Sequence, residues 1–140
     1  MRTFFLPMTA GERLFIWRLR NNMKIIALAK KVGYSRETFS DMEHGRVDPA
    51  PEYRDRIEEI TGGRIKAPEW AYQVEQELQP NEYLIITLRR KKITQAAFCA
   101  ETGIHTTRLN RIINARIQPS DREQTAIGRK IIRLKRAWRP

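Results

Sequence analysis

Cysteine is almost missing from this chain, with Cys99 alone among 140 residues. A lone thiol excludes an intramolecular disulfide framework, makes a zinc cluster or a Cys/His dyad unpersuasive, and fits a reducing compartment. Histidine is nearly as scarce, and His44 and His105 stand too far apart in sequence to suggest a metal site. No stretch approaches the roughly 18 apolar residues of a membrane span. Met1 to Ala10 carries one arginine and a short apolar run broken by Pro7, which makes a poor signal peptide. A cytoplasmic protein with no membrane partner is therefore expected. Alternating runs of β-branched residues and Asn-Gly or Asp-Gly turns are absent, so little strand is expected. Glycine-rich phosphate loops are absent too, and Asp55, Glu58 and Glu59 read as a solvated helix face rather than a catalytic pair. No cofactor is expected, and catalysis has little support.

Acids are also in short supply. Asp and Glu number 16 against 27 Lys and Arg, giving a net charge of +11 and a pI near 10.4. Such a field attracts polyanions, of which nucleic acid is the commonest in a cell. The competing reading is a soluble domain that is merely basic. A hydrophobic fraction of 41% suffices for small cores. The basic excess is concentrated: residues 81–140 hold 14 Lys and Arg against four acids.

What is present in abundance is repetition. Displaced by 70 places, the chain matches itself without a gap: Ala27 meets Ala97, Leu28 Phe98, Ala29 Cys99, Gly33 Gly103 and Tyr34 Ile104. Further on, Phe39 meets Leu109, Met42 Ile112, Arg46 Arg116 and Pro49 Pro119. Two copies of one small fold are the simplest account, and the matched pattern has the shape of a helix-turn-helix.

Helical spacing dominates each copy. Thr9 or Gly11 begins a helix to about Asn21, with Leu14, Phe15, Ile16, Trp17 and Leu19 forming a broad apolar face. Lys24 to Lys31 follows, ended near Gly33; Ser35 caps a third helix to about His44; Glu52 to Ile60 is a fourth. Trp70, Val74 and Leu78 recur every four residues and predict a short helical connector. Asn81 then caps a helix over Glu82 to Lys91. Thr94 to about Thr102 and Thr106 to Asn114 come next. Ser120 with Glu123 forms a capping box for a long last helix through Ile127, Ile131 and Leu134. Trp17, Trp70 and Trp138 read as packing residues, and Cys99 as a buried thiol in a small-residue slot.

At about 100° per residue, Arg36, Glu37, Ser40, Asp41 and His44 share one arc of the third helix, opposite Phe39 and Met42. Thr106, Thr107, Asn110, Arg111 and Asn114 share the equivalent arc in the second copy, with no acid among them. Threonines can contact thymine methyls, Asn110 can pair with adenine, and Arg111 can take guanine in a bidentate way. Glu37 and Asp41 could accept from cytosine but weaken attraction to the backbone. Phosphates are assigned to Lys24, Arg46, Gln95, Arg108, Arg116, Arg129 and Arg133, with the six basic residues between Arg129 and Arg139 steepening salt dependence. Competing readings of that basic end are a solvated face, or membrane-surface binding through Ile131, Ile132, Leu134 and Trp138.

The stretch Ile93-Thr94-Gln95-Ala96-Ala97-Phe98-Cys99-Ala100-Glu101-Thr102-Gly103-Ile104, continued by Leu109-Asn110-Arg111-Ile112-Ile113-Asn114-Ala115-Arg116, resembles the Xre family of phage Cro and lambda-type repressors. Ala115 stands where that family prefers glycine. Phe39-Ser40-Asp41-Met42-Glu43-His44-Gly45-Arg46 matches the family's Glu-Asn-Gly ending with His44 in place of Asn, and residues 56–65 resemble YdaS/Cro-like regulators. The resemblance implies an all-α protein of two tandem lambda-repressor-like helix-turn-helix domains, 1–66 and 81–140, joined by a short helical connector over 67–80. It implies a phage or bacterial repressor occupying operator DNA. Base reading would fall to Arg36, Glu37 and Asp41 and to Thr106, Thr107 and Arg111, with Gln95 and Asn114 on phosphates. Two domains could span half-sites about 34 Å apart, alone or in a homodimer. The alternative is an antitoxin or phage accessory protein. Its first domain would bind a protein partner through the acids Glu37, Asp41 and Glu43, while the second autoregulates.

Overall fold

The computed structural model describes residues 1–139. Among them the chain is mostly helical, with one small sheet. In order the elements are β1 (Phe4–Met8), α1 (Ala10–Arg20), α2 (Ile25–Val32), α3 (Arg36–Glu43), α4 (Pro51–Ile60), β2 (Val74–Leu78), α5 (Pro80–Arg90), α6 (Gln95–Thr102), α7 (Thr106–Ile113) and α8 (Asp121–Lys130). Short 3₁₀ turns lie at Ala67–Ala71 and Ile132–Leu134. β1 pairs with β2. No described helix is long and apolar enough to cross a membrane.

The 70-residue displacement extends beyond the matched residues. β1, α1, α2, α3 and α4 recur with the same bounds as β2, α5, α6, α7 and α8. Even the loop kinks repeat: Asn22 and Lys92 both take positive φ. Residues 6–76 form one compact body, and residues 1–5 with residues 77–139 form another. Several equivalent positions are buried in both bodies. Leu14, Leu28, Phe39, Met42 and Ile57 lie in the first core, and Leu84, Phe98, Leu109, Ile112 and Ile127 in the second. Burial of each such side chain contributes about 1.5–3 kcal/mol.

Helix starts follow the sequence closely. Thr9 and Glu12 close a capping box on α1, and Ser120 and Glu123 close one on α8. Ser35 and Thr94 accept from Thr38 N and Ala97 N. Several expectations are corrected. The connector is a 3₁₀ turn followed by β2, because a spacing of four serves a two-residue period as well as a helical one. Val74, Gln76 and Leu78 point inward, while Glu75 and Glu77 are exposed. Asn81 is not a cap: Pro80 starts α5, and Gln79 N donates to Glu82. The last helix stops at Lys130, where Ile131 turns extended and the chain folds back to bury Leu134, Ala137 and Trp138. Leu134 and Trp138 therefore belong to the core, and no continuous apolar face faces outward there. Cys99 is half-buried, unlike Ala29. Tyr53 and Arg56 of α4 crowd the Gly33 turn, whereas nothing comparable stands near Gly103, since α8 has Glu123 and Ala126 at those positions.

Equivalent positions sometimes hold the same junction by different chemistry. Gly11 of α1 lies against the end of α3 so tightly that a Cβ would meet the Met42 carbonyl oxygen. Its counterpart Asn81 instead donates to the Ile113 carbonyl at 2.8 Å, satisfying an orphan acceptor at the end of α7. Likewise Arg18 forks onto the buried Glu43 at 2.7 and 3.0 Å, and their counterparts Leu88 and Ile113 are both buried apolar residues. Replacing Glu43 alone by Ile strands the Arg18 charge and should destabilise the first body by about 3–5 kcal/mol. The pair Arg18→Leu with Glu43→Ile should recover most of that loss, as read from urea unfolding. Two singles and a double that simply add would contradict this coupling.

Candidate nucleic-acid interface

Rotation of α7 is set by its apolar side. Leu109, Ile112 and Ile113 are buried, so the opposite edge carrying Thr106, Thr107, Asn110, Arg111 and Asn114 is exposed throughout. Asn114 caps the end, donating to the Asn110 carbonyl at 2.9 Å. His105 caps the start, its Nδ1 accepting from Thr107 N at 3.1 Å. That cap was not anticipated from the sequence, because histidine is an uncommon residue there. Beside α7, Thr94 caps α6 and leaves Gln95 half-buried in its first turn.

The equivalent edge of α3 is built differently. Arg36, Glu37, Ser40 and Asp41 meet Ile25 of α2 around a shallow cleft of about 330 Å³. Asp41 is held by Arg46 at 3.1 Å, the arginine exposed and the carboxylate half-buried. Two expected contact residues thus neutralise one another. Their counterparts are Arg111 and Arg116, which are exposed and form no ion pair among the described residues. In and just after α3 the charges of Arg36 and Arg46 are matched by Glu37 and Asp41, whereas Arg111 of α7 and Arg116 beyond it form no ion pair among the described residues. Lys24 is exposed at the start of α2 without a side-chain capping bond, and Ile25 occupies the place of Gln95. Glu43 does not belong to an acidic surface at all, since it is buried against Arg18.

The phosphate candidates of the second body divide. Arg108 is engaged: its guanidinium grips Glu123 at 2.6 and 2.7 Å, joining α7 to α8. Arg133 lies over the Tyr83 ring, 5.7 Å from its centroid, while its carbonyl accepts from Arg2. Arg129 lines a separate cleft with residues of the chain's end. Asn114 and Arg116 are exposed at and just beyond the end of α7, and Gln95 is half-buried at the start of α6. No cluster of three or more His, Cys, Asp or Glu among the described residues could hold a metal. Comparison of the chain with protein-family models, with characterised proteins and with solved structures finds no match.

The grip of Arg108 on Glu123 holds that carboxyl down from 4.5 to about 2, helped by the Ser120 N–H and hydroxyl and opposed by partial burial. Depression below the unfolded value stabilises the fold at pH above about 4.5, and the contribution is lost as pH falls through about 2. Arg108→Ala should therefore be less stable than the parent at pH 6, with the two converging near pH 2. A stability difference independent of pH would refute the linkage.

Ala115 takes φ +57° where Gly45 takes φ +74° in the first copy. Left-handed backbone costs a β-carbon-bearing residue about 1–2 kcal/mol. Ala115→Gly should accordingly stabilise the second body by roughly 0.5–1 kcal/mol, and Gly45→Ala should destabilise the first by a similar amount, both measured by thermal unfolding.

Proposed function

We propose that this protein is a sequence-specific, double-stranded DNA-binding regulator of the Xre type, whose second helix-turn-helix unit, α6 and α7, does the reading. The observation that carries the reading is the exposed edge of α7: threonines, asparagine and an unopposed arginine on a helix anchored by three buried apolar residues. An α-helix of this kind fits the major groove. Thr106 and Thr107 would meet thymine methyls, Asn110 adenine and Arg111 guanine. Gln95, Asn114 and Arg116 would hold the flanking phosphates, with the net charge of +11 supplying the sequence-independent attraction. Repression would follow from occupancy of the operator.

The first unit takes a lesser part in this scheme. Its α3 edge carries Glu37 and Asp41 beside Arg36, and Asp41 is already paired with Arg46, which follows the helix. That charge balance favours a second reading, in which α3 docks a protein partner while α7 holds DNA. In either case the two recognition edges differ, so a single chain would prefer an asymmetric site.

Selection of bound sequences from a random duplex pool gives the site, its length and its symmetry. On the selected site, Arg111→Ala should weaken binding by roughly 1–3 kcal/mol and relax preference at one base position. Equal losses on selected and random duplexes would remove Arg111 from base reading. Arg36→Ala should leave affinity and footprint unchanged if α3 serves a protein partner, and shorten the footprint if it reads DNA.

A further inference from the structure

A second concentration of cations lies where α8 ends and the chain folds back on itself. There a cleft of about 530 Å³ is lined by Arg129, Lys135, Arg136 and Arg139, together with Gln124 and Ile132. Arg129, Lys135 and Arg136 form no ion pair among the described residues, and Arg139 reaches Asp121 only at 3.8 Å with both groups well exposed. Four like charges around one concavity repel one another, and no carboxylate among the lining residues balances them.

Three further features of the cleft oppose stability. Arg136 adopts φ +60°, a left-handed conformation costly for a residue with a β-carbon. Gln124 is 8% exposed, and it donates to the Pro119 carbonyl but leaves its Oε1 without a hydrogen-bond partner. Ile132 is 79% exposed beside the cations. The shape itself depends on Gly128, because a β-carbon there would stand 3.0 Å from the Cα of Lys135 and push the returning chain away. Strain and charge repulsion gathered in one place mark a site kept for a ligand rather than for the fold.

We infer that this cleft binds a row of phosphate groups. Three guanidinium forks and an ammonium suit closely spaced tetrahedral oxyanions, which concentrate more negative charge in this volume than carboxylates do. The volume lies within the range of small-molecule sites, and Ile132 offers an apolar surface for a sugar or base. The phosphates come either from a free nucleoside polyphosphate or from successive positions of a nucleic-acid strand. The inference stands independently of base reading by α7.

Calorimetric titration of the full chain at 150 mM salt with inorganic triphosphate tests the site. Saturable 1:1 binding is expected, weakened at least tenfold in the double variant Arg129→Gln, Arg136→Gly, whose glycine also relieves the left-handed strain. Gly128→Val, which displaces the returning segment, should weaken it to a similar degree. Thermal unfolding of each variant confirms that the second body still folds. Displacement of triphosphate by a short duplex assigns the cleft to nucleic-acid phosphates, whereas simultaneous binding of both, with tighter binding of adenosine triphosphate, assigns it to a free nucleotide. Absence of saturable binding, or equal binding by the folded double variant, overturns the inference. Arg111→Ala separates the two proposals, since it should impair duplex selection while leaving triphosphate affinity unchanged.

Discussion

Burial of three side chains, Leu109, Ile112 and Ile113, governs the chemistry that the second body offers to solvent. A helix whose apolar stripe is held in a core cannot rotate without exposing that stripe, at a cost of about 1.5–3 kcal/mol for each side chain. With rotation settled, a turn of 100° per residue places Thr106, Thr107, Asn110 and Arg111 outward. The hydrogen bond from Asn81 to the Ile113 carbonyl and the Arg108–Glu123 grip secure α7 against α5 and α8. The outer edge is thereby presented on a helix held at its end and on its flank.

Duplication has left the two bodies alike in architecture and unlike in polarity. Positions 18 and 43 hold a buried ion pair, while positions 88 and 113 hold leucine and isoleucine. A buried pair is seldom worth more than well-packed apolar residues of similar volume, so either solution supports the same fold. Outside the core the divergence alters surface charge. The Asp41–Arg46 pair of the first copy becomes Arg111 and Arg116 in the second, converting a self-neutralised edge into one with two free cations.

Much of this was legible in the residues. The 70-place register, the glycine turns and the capping residues Thr9, Ser35, Thr94 and Ser120 depend on short-range chemistry, and each stands where its neighbours require it. The missed features involve ambiguity or distance. Trp70, Val74 and Leu78 satisfy two periods at once, so β2 was indistinguishable from a helix until a partner strand was found. Ile131 and Leu134 continue a helical rhythm, yet Gly128 allows the chain to turn back and bury them differently. Glu43 and Arg108 looked like surface charges because their partners lie 25 and 15 residues away.

Composition and local pattern determined that this chain would be basic, mostly helical, duplicated, and furnished with an acid-free polar edge on its second copy, since these properties depend on residue type and on spacing within a few turns. Tertiary packing decided which charges remain free. Arg111 and Arg116 stand open while Arg108 and Arg18 are engaged, because a guanidinium is claimed by whichever carboxylate the fold brings within reach, and that proximity arises from helices meeting across the core.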